Sequence, residues 1–108
     1  MRKSHLLKDL NLILENVVYL ELLRRGGKVF VGKNKDKEVD FIVQKVNNEQ
    51  EYYQVAYTVN DEKTFEREIS SFRIIRDNYP KYLLTLDYDN VIIEGIQKKN
   101  VIDWLLGR

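Results

Sequence analysis

The fold is decided by residues 38–57, EVDFIVQKVNNEQEYYQVAY. From Glu38 to about Val46 polar and apolar side chains alternate. Glu38, Asp40, Ile42 and Gln44 fall on one face and Val39, Phe41 and Val43 on the other, the period-two pattern of a strand. Asn47-Asn48 is turn chemistry, and Glu51 to Tyr57 is rich in aromatic and β-branched residues, so the two segments are predicted to form a hairpin. Tyr52, Gln54 and Ala56 share a face of the second of these strands. An odd hairpin loop sets Asp40 across from Gln54, whereas an even one offsets them by about one residue. Asp40 stands between apolar neighbours, so it needs a solvated edge or a partner, because a carboxylate buried alone is costly.

Working outward, Lys28-Val29-Phe30-Val31-Gly32 reads as a short preceding strand. With the polar turn Lys33-Asn34-Lys35-Asp36-Lys37 it completes an antiparallel meander. Before it, Leu6 to Arg25 carries one apolar row at Leu6, Leu10, Ile13, Val17 and Leu20 and a second at Leu14, Val18 and Leu22, which predicts a long, mostly buried helix ended by Gly26-Gly27. After the meander, Phe65, Ile69, Phe72 and Ile75 mark an amphipathic helix over residues 61–76. Thr58 and Asp61 have capping-box spacing at its start, and Asn78-Tyr79-Pro80 stops it. Lys81 to Leu86 suits a buried strand reached by a parallel crossover. Val91 to Ile96 reads as one further edge strand, and Asn100 as the cap of a last helix over residues 101–106, ended by Gly107.

The 108 residues include 18 Lys+Arg, 17 Asp+Glu, one His and no Cys, for a net charge of +1. This is the size of one α/β domain, residues 1–108, in which a mixed sheet is flanked by helices. The absence of Cys excludes disulfides, thiolate zinc sites and a cysteine nucleophile. No apolar run reaches membrane-span length and no signal peptide is visible, so the expectation is a cytoplasmic protein without membrane contact. Gly26-Gly27-Lys28 lacks the spacing of a phosphate-binding loop and follows a helix rather than a strand.

A helix bearing Glu15, then a meander with Asp40 on its second strand and Gln54-Val55-Ala56 on its third, resembles the PD-(D/E)xK nucleases of restriction-endonuclease-like fold. More closely, LENVVYLELLRRGGKVFVGK, KEVDFIV, YQVAY and DNYPKYLLTLD resemble the carboxy-terminal domain of bacterial and archaeal AAA-type ATP-binding proteins, a domain of unknown function. The resemblance implies an αβββαβ core with an antiparallel meander and one parallel crossover. It also implies that the chain is a carboxy-terminal fragment of a larger ATPase or a short relative of one, with the ATPase domain as its partner and all ATPase activity outside it.

In active members two carboxylates hold Mg²⁺ beside the scissile phosphate, and a Lys assists the attacking water. Here Gln54 stands for the second carboxylate and Ala56 for the Lys, so the motif is degenerate and no catalytic residue is assigned. Glu15 and Asp40 are the candidate metal ligands of any residual site, and Lys63 or Arg67 on the second helix the candidate relocated cation. No cofactor is expected in the chain, Mg²⁺ being the ion a residual site would take. The expected role is contact with the ATPase, with another protein or with DNA. An active Mg²⁺-dependent nuclease is the first rival, and a purely structural or oligomerising domain the second.

Each residue also has a plainer reading. Asp40 can be a solvated carboxylate paired with Lys35 or Lys37, Glu15 the exposed edge of a wide stripe, and Gln54 and Ala56 ordinary packing. His5 carries no signal, and Trp104 is a core anchor, with an interdomain contact as its alternative. Residues 24–37 hold Arg24, Arg25, Lys28, Lys33, Lys35 and Lys37 against Asp36, a local charge of +5. These six are the candidate nucleic-acid contacts, through phosphate; their plain reading is a solvated turn and helix end.

Overall fold

A computed structural model describes residues 3–32 and 39–108. Its elements are α1 (Lys3–Arg24), β1 (Lys28–Val31), β2 (Phe41–Gln44), β3 (Gln50–Val55), α2 (Glu62–Arg73), β4 (Lys81–Thr85), β5 (Val91–Ile93), β6 (Ile96–Asn100) and α3 (Val101–Leu105). The six strands form one mixed sheet in the order β1-β2-β3-β4-β6-β5. The meander β1-β2-β3 is antiparallel and β3 pairs with β4 in parallel, as the sequence predicts.

Beyond β4 the expectation of a single edge strand and one parallel pairing is corrected. Glu94 and Gly95 both take positive φ, 52° and 78°, the conformation of a tight two-residue hairpin turn. The chain therefore folds back after Ile93. The returning strand β6 lies between β5 and β4, antiparallel to the first and parallel to the second.

The sheet is packed on both faces. On one, Leu14, Val18 and Leu22 of α1 and Val101 and Trp104 at α3 meet Phe41, Val43, Tyr53, Val55 and Leu84. On the other, Ile69 and Phe72 of α2 meet Val39, Tyr52, Ala56, Leu83 and Ile96. Only the second of the two apolar rows on α1 is buried. Leu6, Ile13, Val17 and Leu20 of the first row point outward, so α1 is not the mostly buried helix its composition suggests.

The cap of α2 is also corrected. Asp61 is its N-cap, accepting from the Thr64 N–H, while the Thr58 hydroxyl donates to Asp87 instead. Asn100 caps α3 as predicted, accepting from the N–H groups of Ile102 and Asp103. Trp104 is buried in the core.

Candidate functional site: the fork between β2 and β3

The predicted alternation along the second strand fails at Asp40. Val39 packs on the α2 side, whereas Phe41 and Val43 pack on the α1 side, so the three do not share a face. The chain bends at Asp40, and β2 begins only at Phe41. The register Phe41↔Tyr53 and Ile42↔Tyr52, closed by the odd-length loop Lys45 to Glu49, brings Asp40 opposite Gln54. There the ladder is continued by side chains. The Asp40 N–H donates to Gln54 Oε1 at 2.9 Å, and the Val55 N–H donates to Asp40 Oδ2 at 2.9 Å. The Asp40 carbonyl accepts from the Gly32 N–H at 2.9 Å, so one residue ties the ends of three strands.

Two further carboxylates approach from the flanking helices. Gln54 Nε2 donates to Glu68 Oε1 at 3.1 Å, and Arg67 lies 3.6 Å from the other Glu68 oxygen. Glu15 on α1 is half-buried rather than an exposed stripe edge. Burial, followed by the charge of Glu68, raises its pKa. Burial also raises that of Glu68 against the lowering effect of Arg67 and the Gln54 hydrogen bond. Burial pushes Asp40 up to about 7; the Val55 hydrogen bond opposes the rise, and the charges of Glu15 and Glu68 add to it.

Hydrogen bonds therefore join Asp40 and Gln54, two of the four positions singled out by sequence, to Glu68, and Glu15 on α1 acts on the fork through its charge. Ala56 is packed into the core against α2, with Ile69 and Phe72 in the same cluster. Arg67 is the member of the Lys63/Arg67 pair that comes near, through Glu68. Glu68 went unnoticed in the sequence, although its spacing from Phe65 and Phe72 places it on the inner face of α2.

Part of the donor set that Mg²⁺ would need is already committed. Gln54 Oε1 and Asp40 Oδ2 are already acceptors of backbone N–H groups, and Gln54 Nε2 occupies one oxygen of Glu68. Raised carboxyl pKa values also favour protons over a cation at this fork. Among the described residues no trio of acidic, His or Cys side chains is placed to hold a metal ion. The arrangement can take up protons and can lock the β2–β3 junction.

The basic segment is partly neutralised. Glu21 binds Arg24 at 2.7 Å and Arg25 at 2.7 Å, and those two hydrogen bonds, Arg24 foremost, draw its pKa down to about 2. Arg25 also donates to the Trp104 carbonyl at 2.8 Å and lies over the Trp104 ring. Lys28 is exposed. Lys33, Lys35 and Lys37 lie outside the described residues, as does the pairing of Lys35 or Lys37 with Asp40; the Asp40 carboxylate is held by the Val55 N–H in a half-buried position.

A second polar cluster, absent from the sequence reading, lies at the carboxyl end of β4. Lys98 Nζ meets Asp87 Oδ2 at 3.2 Å with both side chains buried, and it also pairs with Asp89. Asp87 accepts from the Thr58 hydroxyl at 2.6 Å and the Val59 N–H at 3.0 Å. Burial pushes the Asp87 pKa up, but these bonds and Lys98 outweigh it and hold the carboxyl below its ordinary value. Recognising Glu94-Gly95 as a hairpin turn would have exposed the cluster, because it puts Ile96, Lys98 and Asn100 on one strand at alternate positions.

No family model matches the chain, and no solved structure matches it significantly. Two relatives do. An uncharacterized protein of Haemophilus influenzae is 47% identical over 94 residues, covering 86% of this chain and 22% of the relative. The uncharacterized protein MJ1544 of Methanocaldococcus jannaschii is 38% identical over 107 residues, covering 89% of this chain and 22% of the relative. The chain thus spans about a fifth of the length of the curated relatives it matches.

Proposed function

We propose that this chain is a non-catalytic accessory domain of restriction-endonuclease-like fold that works by contact, docking through the outer face of α1 onto the ATPase unit of a longer AAA-type protein. The observation that carries this reading is the outer face itself. Leu6, Leu12, Ile13, Val17, Leu20 and Leu23 are each between 38% and 64% exposed, on one helix whose opposite face already packs on the sheet. A helix with apolar side chains on two opposite faces is suited to cover on both. Covering the exposed half of each such side chain is worth roughly 1 kcal/mol. The relatives contain several times more polypeptide than matches this chain, which supplies a surface to provide that cover. The non-catalytic part of the reading is supported by Ala56, buried where the nuclease motif has its Lys, and by Gln54, whose amide is bonded at both ends.

The test is complex formation. This chain is mixed with a polypeptide comprising the non-matching part of the Haemophilus influenzae relative, and mass is read by size-exclusion chromatography with light scattering. A stoichiometric complex is expected, and the double variant Ile13→Lys/Leu20→Lys is expected to lose it while keeping its circular dichroism and melting temperature. Co-elution unchanged in the double variant overturns the docking face. A stable homodimer through α1 with no mixed complex favours the oligomerisation rival.

A further inference from the structure

We infer that the groove between the carboxyl end of α1, the β2–β3 turn and α3 is a binding site for a planar aromatic ligand carrying a phosphate, the chemistry of a nucleotide. This site lies on a different surface from the outer face of α1 and does not depend on the docking reading.

The groove encloses about 690 Å³, within the usual range for small-ligand pockets. It exists because α1 stops at Arg24 and α3 is short, which leaves the first residues of β3 and β4 uncovered on that face. Its floor is aromatic and rigid. Tyr53 and Tyr82, register partners on β3 and β4, stack with centroids 4.9 Å apart, and Trp104 leans on Tyr53 at 5.7 Å. Tyr53 and Trp104 are buried, while Tyr82 is only half-buried and lines the groove.

The charge lining the groove is one-sided. Arg25, Lys45 and Lys99 line it against one carboxylate, Glu51, and with Arg25 paired to Glu21 and Lys45 to Glu51 the uncompensated cation is Lys99. Glu51 is already committed, to Lys45 at 3.0 Å and to the Tyr53 hydroxyl at 2.9 Å. Arg25 is fixed by Glu21 and by the Trp104 carbonyl. Lys99 is half-buried and, among the described residues, has no ion-pair or hydrogen-bond partner. A cation held in a cleft without its counter-charge is set for an anionic ligand, and Lys99 with the Arg25 guanidinium and the Lys45 ammonium on the same groove supplies several donors for the oxygens of a phosphate monoester. A flat ring stacking on Tyr82 accounts for the aromatic floor, which a bare anion would not use.

Trp104 is the single tryptophan of the chain, so its emission reports on this groove directly. AMP, adenosine and inorganic phosphate are titrated separately, and calorimetry checks each curve. AMP is expected to bind saturably, and adenosine and phosphate each about tenfold or more weaker. Lys99→Gln is expected to weaken AMP about tenfold and leave adenosine unchanged, and Tyr82→Leu to weaken AMP and adenosine but not phosphate. Melting curves verify that both variants are folded, and Lys99→Arg, which keeps the charge, should retain AMP binding. Three results each overturn the proposal: no saturable AMP binding by either method, phosphate binding as tightly as AMP, or undiminished AMP affinity in folded Lys99→Gln.

Discussion

Asp40 and Gln54 face each other where β2 and β3 diverge, and they complete the ladder with side chains. The Asp40 N–H donates to the Gln54 amide oxygen at 2.9 Å, while the Asp40 carboxylate accepts the N–H of Val55, also at 2.9 Å. An unpaired N–H at either place would cost about 1–3 kcal/mol, so the pair stabilises a junction that the bend at Asp40 opens. The cost is carried by the carboxylate, which sits half-buried within the fields of Glu15 and Glu68.

That cost gives a pH signature. The folded-state pKa of Asp40, about 7, lies above its unfolded value, so between about pH 4 and 7 the native state binds more protons than the unfolded one. The stabilising contribution is complete below the unfolded pKa and is lost as pH rises through 7. Glu15 and Glu68, also raised, act in the same direction. Asp40→Asn keeps an oxygen for the Val55 N–H and cannot ionise. Urea unfolding should show the variant close to wild type at pH 4.5 and more stable by roughly 1–3 kcal/mol at pH 8. A variant less stable than wild type at pH 8 would contradict the assignment.

What the sequence made legible follows from periodicity and turn chemistry. The helix-strand order through β4 and the Asn100 cap were readable from a few residues, whereas the pairing of Asp40 with Gln54 stayed open between an odd and an even loop and is settled by the five-residue turn. Strand β6 was not readable, because Lys98 and Lys99 look like solvent-facing residues until the Glu94-Gly95 turn is recognised. The two faces of α1 could not be ranked from composition either. Leucine and valine occupy both, and packing against the sheet alone separates Leu14, Val18 and Leu22 from Ile13, Val17 and Leu20. At the fork, a regular alternation cannot foresee the bend that sends Val39 to the opposite face from Phe41.

Lys98 and Asp87 form an ion pair with 5% and 6% side-chain exposure. Removing one member leaves the other charge buried with fewer partners, which typically costs about 3–5 kcal/mol, whereas replacing both is far less damaging. Lys98→Met and Asp87→Leu should each destabilise strongly, and the double variant by clearly less than the sum. The Thr58 hydroxyl and Val59 N–H lose their acceptor in Asp87→Leu, so that single variant should be the worse of the two. Denaturation of all four proteins in a double-mutant cycle measures the coupling, and simple additivity would show that the pair does not act as a unit.

Gly32 is required by contact. A Cβ at this position would lie 2.2 Å from the Val39 carbonyl oxygen, a backbone atom unable to step aside without disturbing the strand junction. The Gly32 N–H also donates to the Asp40 carbonyl. Gly32→Ala should therefore lower stability by roughly 2 kcal/mol or more, comparable to other overpacking changes. The midpoint of chemical unfolding tests this, with Gly95→Asn as a control, because asparagine tolerates the positive φ of a turn and a Cβ there meets nothing within 4 Å. Equal midpoints for Gly32→Ala and wild type would mean that the junction relaxes freely.

The fork also separates the contact role from the nuclease rival. Cleavage by a Glu15–Asp40–Gln54 site would require carboxylate oxygens free for a cation and a positive group beside the attacking water. Instead Asp40 Oδ2 is held by the Val55 N–H, Gln54 is bonded at both ends, and Ala56 is buried against α2. Arg67 on α2 is drawn to Glu68. Supercoiled, single-stranded and branched DNA should remain intact with either Mg²⁺ or Mn²⁺ at protein excess, and Asp40→Ala should behave as wild type in that assay. Turnover in the wild type that disappears in Asp40→Ala would reinstate the fork as a catalytic centre, and with it the requirement that Gln54 release the Asp40 N–H when metal binds.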